Sequence, residues 1–306
     1  MNVSVIISTH NPNIRRLHRT LGALARQTLP FDDWEIILVD NASQPPLTPE
    51  VVGKGRRLVN MRIIREARLG LTYGRLAGVE QSRGEIVVFV DDDNLLETDY
   101  LARACEIFAR HSGLGFGGGD SCAEWEVSPE PWMMEFCGNL AIRSLGHRET
   151  ISSATRDSYP SCAPIGAGMV ARRSALDDWL QRCKTRKPLL DRSGTELTSA
   201  GDCDIVMCGL AAGWQVGYFP ALRLTHLIAA ERLTRDYLAR LNHGIAKSWV
   251  QVLALHGICP WKPVDSWTVP LRKCRAYFRY QAWGGPAQYV RWRGACGLFE
   301  GRAIIG

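Results

Sequence analysis

The chain has 306 residues, of which 46% are apolar and 22% are charged, and its formal net charge is +6. A chain of this length can bury one large core or two smaller ones, and the composition is that of a folded globular protein rather than a disordered one. Its ten cysteines include no Cys-x-x-Cys pair and have irregular spacings. This pattern argues against a zinc finger or a disulfide framework, and reduced thiols are expected.

The sequence shows no pattern of a targeting or membrane-spanning segment. An apolar, β-branched run begins at Val3, and no charged segment with a cleavage site precedes it, which argues against a signal peptide. No run of about 18 apolar residues occurs, so no spanning helix is predicted. The expectation from the sequence is therefore a cytoplasmic protein.

The first 112 residues alternate strand and helix patterns. Strands are predicted for four nearly all-apolar runs, at Val3–Ser8, Trp34–Val39, Met61–Ile64 and Glu85–Val90. Helical spacing of apolar residues predicts three helices, one of roughly 14 residues from near Ile14, one at Leu71–Gln81 and one from Asp99 to His111. Apolar strands that alternate with helices predict an α/β fold with a mostly parallel central sheet flanked by helices.

Polar clusters follow three of these predicted strands. They are Thr9-His10-Asn11, Asp40-Asn41 and Asp91–Asn94. Ligands of parallel sheets bind beyond the carboxyl ends of the strands, so one common site is predicted there. Three successive carboxylates repel one another unless they are solvated or neutralised by a cation, and Mg²⁺ binds carboxylates together with phosphate oxygens. An acidic helix N-cap is the alternative interpretation of the aspartates.

The pattern is looser after residue 113. A turn entering a strand is predicted at Pro164–Arg172 and a helix at Ser174–Gln181, and a polar loop, Leu190–Gly201, leads to a helix from Asp202 to near Gly213. Two strands then follow, Trp214–Phe219 and Leu222–Thr225, with His226 directly after the second. The glycines at 113–118 match a dinucleotide-binding motif, but a helix precedes them and a predicted strand contains them, which argues against that function.

Four segments in order resemble the donor half of family-2 glycosyltransferases of the GT-A fold. They are Val3–Asn11, Trp34–Ser43, Gly70–Arg75 and Gly84–Asp93, the last of which is similar to the strand that carries the family's Asp-x-Asp. The resemblance extends further along the chain. Pro164–Met169 is similar to the family's acceptor-side turn, Ser199–Asp204 is similar to the segment where members usually have Glu-Asp-x-Asp or Glu-Asp-x-Glu, and His226 matches a position that ligates the metal in many members. Two positions depart from the family pattern, because Leu76 stands where members usually have Asn and Gly201 where they usually have Glu.

The resemblance implies a metal-dependent, inverting transfer of a sugar from a nucleotide-diphosphate donor to a hydroxyl of a glycan or lipid-linked acceptor. It implies that the donor is bound by Thr9, His10, Asn11, Asp40, Arg75, Asp91 and Asp92. It assigns a divalent ion, Mg²⁺ or Mn²⁺, to Asp93, Asp91 and His226, and the role of general base to Asp202. The alternatives are a helix cap for Asp202, a structural histidine for His226, and a nucleotide-sugar-binding protein or a nucleotidyltransferase for the chain.

The predicted organisation is a GT-A domain at 1–230, with a donor half at 1–112 and an acceptor half at 113–230, followed by a helical extension at 231–306. The extension has 12 Lys and Arg against 4 Asp and Glu, and it holds five of the ten tryptophans. A basic, Trp-rich extension favours peripheral contact with an anionic membrane, at its inner face for a cytoplasmic protein. A solvated helical face is the alternative, and no nucleic-acid partner is expected.

Overall fold

The structure is a computed structural model that describes residues 2–53, 60–153, 158–185 and 197–306. Its strands are β1 (Val3–Thr9), β2 (Trp34–Asn41), β3 (Met61–Glu66), β4 (Ile86–Val90), β5 (Asn94–Leu96), β6 (Leu114–Trp125), β7 (Thr150–Ser152), β8 (Val170–Arg172) and β9 (Gln215–Ile228). Its helices are α1 (Ile14–Leu24), α2 (Pro49–Val52), α3 (Leu71–Gln81), α4 (Tyr100–Arg110), α5 (Asp177–Thr185), α6 (Gly201–Ala211), α7 (Arg235–Leu255), α8 (Val269–Arg279) and α9 (Pro286–Ile304).

The strands form one mixed sheet in the order β3-β2-β1-β4-β8-β6-β9-β5, and β7 pairs with β9. The first four strands of that order are parallel to one another. The later strands join by antiparallel pairing, with β8 on β4 and on β6, and with β5 and β7 on β9. The α/β class is confirmed, and its parallel part is the segment in which helices connect successive strands, as parallel crossovers require.

The parallel strands are buried on both faces because helices cover each side. Val3, Val5 and Ile7 of β1 belong to the core that contains α1 and α4 side chains. Ile6 points the opposite way and lies under α3, where a side chain on Gly78 would collide with it. The alternation of a strand thus places both of its faces against apolar surfaces, which explains the unbroken apolar runs in the sequence.

Most predicted elements are confirmed, with differences at their ends. Helix α3 has the predicted bounds, whereas α1 has 11 residues rather than 14. Helix α1 ends early because the amides of Arg26 and Gln27 bind carbonyls only three residues back, which turns the chain. The glycines at 113–118 lie mainly in β6, as expected. Most of the polar loop predicted at Leu190–Gly201 lies outside the described residues.

The prediction of two separate strands near the end of the sheet was wrong. Residues 215–225 belong to one long strand, β9. It pairs with β7 near its start, where Tyr218 lies opposite Thr150, and with β5 at its end, where His226 lies opposite Asn94. Because these partners extend the hydrogen-bond ladder, His226 lies inside the strand and not after it.

The described chain divides into two compact units. The first comprises the described residues within 1–124, 141–188 and 204–227, and the second comprises those within 125–140, 189–203 and 228–306. The second contains α7, α8 and α9, which confirms the predicted helical C-terminal extension. No helix in the described ranges has both the length and the apolar character needed to cross a bilayer.

Helices α7 and α9 pack closely through glycines. A Cβ atom on Gly297 of α9 would lie well inside contact distance of the His243 carbonyl oxygen of α7, and one on Gly294 would meet the Asn242 side chain. The Asn242 side-chain amide donates to the Val290 carbonyl at 2.9 Å. The small residues therefore allow the two helix backbones to approach.

Replacing Gly297 with Ala is expected to destabilise the protein by about 1–3 kcal/mol, because the methyl group meets backbone that cannot move aside. For a net destabilisation, the free-energy cost of this overpacking must exceed the roughly 1 kcal/mol by which Ala is favoured over Gly in a helix. Urea unfolding of both proteins measures the difference. Gly138→Ala is the matched control, since a Cβ there meets nothing within 4 Å. An unchanged midpoint for Gly297→Ala would contradict the close helix packing.

Candidate functional site

The register of the parallel strands places the predicted polar clusters on one rim of the sheet. Thr9 at the end of β1 lies opposite Asp40 of β2, which in turn lies opposite Arg65 of β3. On the other side of β1, Ile7 pairs with Val90, so Asp91 begins where β4 ends. The strand ends therefore form a row of polar side chains, as parallel sheets provide for ligands.

Asp92 ties the ends of β1 and β4 together. Its carboxylate accepts a hydrogen bond from the Thr9 hydroxyl. Its backbone carbonyl accepts a second one, at 3.0 Å, from the hydroxyl of Thr20 in α1. Thr9 and Asp92, both predicted to contact a donor, are thus brought together. The bond between them fixes the position of the loop that carries the other two aspartates.

Asp93 and His226 form a buried pair. The Asp93 Oδ1 atom lies 3.2 Å from His226 Nε2, and the side chains are only 6% and 4% exposed. The backbone brings them together twice, since His226 pairs with Asn94 in the sheet and the Leu227 amide donates to the Asp93 carbonyl at 2.9 Å. The side-chain amide of Asn94 also donates to Asp93 Oδ1, at 3.2 Å. The geometry of the pair is therefore set by the β5–β9 ladder.

Asp91 faces Arg75 at the same rim. The carboxylate lies 3.8 Å from Arg75 Nη2, and its side chain is 34% exposed whereas that of Arg75 is 5% exposed. The guanidinium also lies over the Phe89 ring, 5.7 Å from its centroid. Helix α3 thus directs a desolvated cation toward the acidic loop. Such a cation, held next to the strand ends, is suited to an anionic ligand.

Asp40 is held from three sides. Its carboxylate accepts hydrogen bonds from the amides of Ser43 at 3.0 Å and Leu47 at 3.1 Å, and from Arg65 Nη1 at 3.1 Å. An ionised carboxylate offers about four acceptor positions. The protein therefore fills most of them and orients the group firmly.

His10 and Asn11 belong to a loop bound to the end of β2. The His10 Nδ1 atom lies 2.8 Å from the Asn41 carbonyl, an acceptor, so Nδ1 carries the proton. The Asn11 amide donates to the Ser43 hydroxyl at 2.9 Å, and its side-chain oxygen accepts from the Gln44 amide at 2.8 Å. Asn11 has φ of +47°, a conformation that Asn adopts more readily than most residues. These bonds give the loop a defined shape.

Sequence reasoning assigned no role to Asn41, Ser43, Arg65 or Asn94, all of which organise the rim. Asn41 binds the segment before α3, donating to the Arg68 carbonyl at 2.7 Å and accepting from the Gly70 amide at 2.8 Å. Asn94 accepts from the Asp91 amide at 3.2 Å as well as donating to Asp93. The signal that could have found the two asparagines is their place inside the predicted polar clusters.

An exposed ion pair lies beside the rim at the end of β3. Arg68 binds Glu66 through Nε at 2.9 Å and Nη2 at 2.8 Å, and its guanidinium lies 4.6 Å from the centroid of the Tyr73 ring. The hydrogen bond from Arg68 lowers the pKa of Glu66, and the same bond raises the pKa of Arg68. Both groups are therefore charged at neutral pH, and the pair as a whole is neutral.

Asp202 lies in the first turn of α6, one residue inside the helix rather than at its cap. Its Oδ1 atom accepts from the Cys203 amide at 2.9 Å. A carboxylate here complements the helix N-terminus. Asp202 belongs to the second unit, whereas the rim residues belong to the first. Its neighbour Asp204 is buried in the first unit, with one oxygen 3.9 Å from Arg182 Nη1.

Comparison with known proteins identifies the family. Residues 4–179 match the model of Glycosyl transferase family 2. The chain belongs to this family. The resemblance of the strand-end motifs to the family is therefore confirmed.

Two similar relatives of this family-2 chain come from Staphylococcus aureus. Poly(ribitol-phosphate) beta-N-acetylglucosaminyltransferase TarP (strain N315) is 35% identical over 95 residues, which are 31% of this chain and 29% of TarP. The TarS enzyme of the same description (strain Mu50 / ATCC 700699) is 29% identical over 116 residues, which are 36% of this chain and 19% of TarS. The match thus spans under a third of either relative's length.

The fold of the family-2 chain matches a solved structure over almost its full length. The crystal structure of S. aureus TarS 1-349 in complex with UDP-GlcNAc superposes with a TM-score of 0.56 and 15% identity. The superposition covers 98% of this chain and 90% of the TarS fragment. It confirms the GT-A-like architecture predicted from the sequence, including the C-terminal helices.

Two side chains of the rim fit the requirements of a divalent cation. Ligand atoms about 2.1 Å from an octahedral ion and adjacent in its shell are about 3 Å apart. Asp93 Oδ1 and His226 Nε2 are separated by 3.2 Å, so both atoms could share one ion if the imidazole proton sat on Nδ1. A carboxylate oxygen and an imidazole nitrogen together suit Mn²⁺ or a similar metal. Asp91 is close in sequence and partly exposed, which leaves it able to add a further oxygen.

Proposed function

We propose that the chain is a metal-dependent, inverting glycosyltransferase that uses a nucleotide-diphosphate sugar as its donor. The observation that carries the proposal is the pairing of Asp93 with His226 at 3.2 Å, next to Asp91 and its partner Arg75 at 3.8 Å. Two acidic groups, an imidazole and one desolvated arginine at the strand ends match what a diphosphate and its counter-ion require. Asp93, Asp91 and His226 are the proposed metal ligands.

UDP-N-acetylglucosamine is the donor we propose to test first. TarP and TarS are named as N-acetylglucosaminyltransferases, and the TarS structure contains UDP-GlcNAc. In this chain, Thr9, His10, Asn11 and Asp40 would contact the nucleoside, since they form the loop walls at the ends of β1 and β2. Arg75, Asp91 and Asp92 would lie nearer the diphosphate. The acceptor is proposed only as a hydroxyl of a glycan or of a lipid-linked glycan.

The proposed reaction is a single displacement in which the acceptor oxygen attacks the anomeric carbon. A hydroxyl is a weak nucleophile, so Asp202 would take its proton as the new C–O bond forms. The bond from the anomeric carbon to the phosphate oxygen breaks, and the nucleoside diphosphate leaves with the electron pair. The ion, when bound, supplies positive charge beside the departing diphosphate. Arg75 would contribute charge of the same sign from the protein itself.

Several predictions from the sequence remain predictions. These are the donor half at 1–112, the acceptor half at 113–230, the cytoplasmic location and the peripheral contact with an anionic membrane. A nucleotide-sugar-binding protein without transferase activity is not favoured, because the chain belongs to a glycosyltransferase family and retains Asp202.

Thermal unfolding with a panel of nucleotide sugars tests the donor proposal. UDP-GlcNAc is expected to raise the midpoint in the presence of Mn²⁺ or Mg²⁺, and GDP- and ADP-sugars are expected to raise it far less. A ligand at about 100 times its Kd stabilises the folded state by about 2.7 kcal/mol. Adding EDTA should abolish the rise. Stabilisation by UDP-GlcNAc that is unaffected by EDTA would contradict metal-dependent binding, and stabilisation by a different nucleotide sugar alone would contradict the proposed donor.

A further inference from the structure

Large apolar side chains are exposed along α8 and the segments next to it. The exposed fractions are 78% for Trp267, 72% for Leu271, 62% for Phe278 and 59% for Trp283. Leu271 and Phe278 are seven residues apart and therefore lie on the same side of the helix. Arg275 lies between them on that side and is also exposed. We call these five residues, together with the exposed Arg279, the α8 face.

Aromatic packing holds the outer rings of the α8 face in place. The Trp283 ring lies 5.8 Å from that of Phe278 and 5.6 Å from that of Tyr277. Tyr277 in turn packs edge-on against Trp292 of α9 at 5.2 Å. The indole N–H of Trp292 donates to the Lys273 carbonyl at 3.0 Å. Phe278 and Trp283 are thus packed against each other and, through Tyr277, against α9, while both remain exposed.

The charge on this part of the chain is almost entirely positive. Helix α8 contains Arg272, Lys273, Arg275 and Arg279 and no acidic residue. Within residues 256–306 the only carboxylate side chains are Asp265 and Glu300. Glu300 is bound by Lys273 at 2.6 Å and His243 at 3.1 Å. Among the residues that the structure describes, Arg275 and Arg279 have no carboxylate partner.

We propose that the α8 face binds the surface of an anionic lipid bilayer. A helix of 11 residues is about 16 Å long, too short to cross a membrane, and it contains four cations. Tryptophan and phenylalanine insert at the boundary between headgroups and acyl chains, while arginines bind anionic headgroups. A bilayer therefore accounts for both the apolar side chains and the arginines of the α8 face. A nucleic acid would use the arginines but not the apolar stripe, and self-association would bury the stripe but bring like charges together.

Co-sedimentation of the full chain with lipid vesicles tests this proposal. We expect binding to vesicles of phosphatidylcholine mixed with phosphatidylglycerol, weaker binding to phosphatidylcholine alone, and a loss of binding as salt rises. Arg275→Gln combined with Arg279→Gln should weaken partitioning by about 30-fold, since each arginine contributes about fivefold. Phe278→Ser combined with Trp283→Ser should weaken it at least about tenfold, because less apolar surface leaves water.

Matched variants separate the α8 face from general effects of charge and hydrophobicity. Arg26→Gln with Arg83→Gln removes two exposed charges from the first unit, and Met134→Ser removes an exposed apolar side chain from the second. Both should bind vesicles like the parent chain. For the parent chain, quenching of tryptophan fluorescence by brominated lipid measures insertion without any substitution.

Three outcomes would overturn the proposal. They are equal binding to charged and uncharged vesicles, absence of vesicle binding together with concentration-dependent dimerisation, and absence of vesicle binding together with binding to oligonucleotides. Because vesicle binding is measured without a nucleotide sugar, its failure is independent of the proposed glycosyl transfer. Conversely, all α8-face variants should keep the thermal stabilisation by UDP-GlcNAc.

Discussion

Asp202→Asn is expected to lower kcat for glycosyl transfer by about 10²–10⁴, the range that general bases contribute, and to leave donor binding unchanged. The substitution removes a proton acceptor but keeps an oxygen at Oδ1, which accepts from the Cys203 amide at 2.9 Å. The first turn of α6 should therefore be preserved. Transfer from UDP-GlcNAc to an acceptor and thermal stabilisation by the donor are measured on the same preparation.

Asp236→Asn provides the matched control for this experiment. Asp236 belongs to the same unit, lies in the first turn of α7 and is exposed, with its carboxylate paired only locally with Arg235. Its replacement should leave both readings unchanged. Normal transfer by Asp202→Asn would place the base elsewhere. If the variant lost both the stabilisation by the donor and the transfer activity, Asp202 would instead have a structural role.

The parallel part of the fold was predictable because its strands are buried on both faces. In β2 all eight residues are buried, and the sequence there contains the apolar run Ile36–Val39, which ends abruptly at Asp40-Asn41. Helix α3 was also found at its observed bounds, since Gly70 precedes it and Ser82 ends it. Local composition determines such elements, and single-sequence reasoning uses only local composition.

The β5–β9 ladder could not be predicted in the same way. Strand β5 has three residues, Asn94–Leu96, and follows three aspartates, so its sequence has no periodicity to detect. It exists because β9 supplies hydrogen-bond partners from a distant part of the chain. The same pairing extends β9 through His226. The prediction that His226 follows the strand failed because non-local pairing, rather than local pattern, sets where β9 ends.

The sequence predicted residues of the candidate site, but it did not predict which of their side chains bind one another. The clusters at the strand ends contain Thr9, Asp40 and the aspartates, and the family resemblance added Arg75. The bond from Thr9 to Asp92, however, depends on how the strands are ordered. Composition likewise could not separate the tryptophans of the extension. Trp292 packs under the aromatic cluster, whereas Trp267 is exposed.

Asp93→Asn is expected to abolish the metal-dependent stabilisation by UDP-GlcNAc and to lower transfer by about 100- to 1,000-fold. The amide keeps the size of the side chain and an oxygen for the Asn94 side-chain amide, which donates to Asp93 Oδ1 at 3.2 Å. It removes the negative charge next to His226 Nε2, and a neutral oxygen is a much weaker ligand for a divalent cation. Asp93→Ala would also leave the buried Asn94 amide without this acceptor, at a cost of about 1–3 kcal/mol.

The Asn and Ala variants of Asp93 therefore separate the effect of the lost charge on metal binding from the effect of the lost hydrogen bond on stability. Asp93→Asn should unfold near the parent midpoint without ligands but gain nothing from donor and Mn²⁺, whereas Asp93→Ala should also unfold earlier. Asp99→Asn is the control, since the Asp99 side chain is 47% exposed and its carboxylate pairs locally with Arg103 at the start of α4. Calorimetric titration of Mn²⁺ into each protein with UDP present reports the ion directly. Full Mn²⁺ affinity in Asp93→Asn would show that the buried pair with His226 is a structural ion pair. In that case the proposed metal assignment would move to Asp91, whose carboxylate is the more exposed of the two.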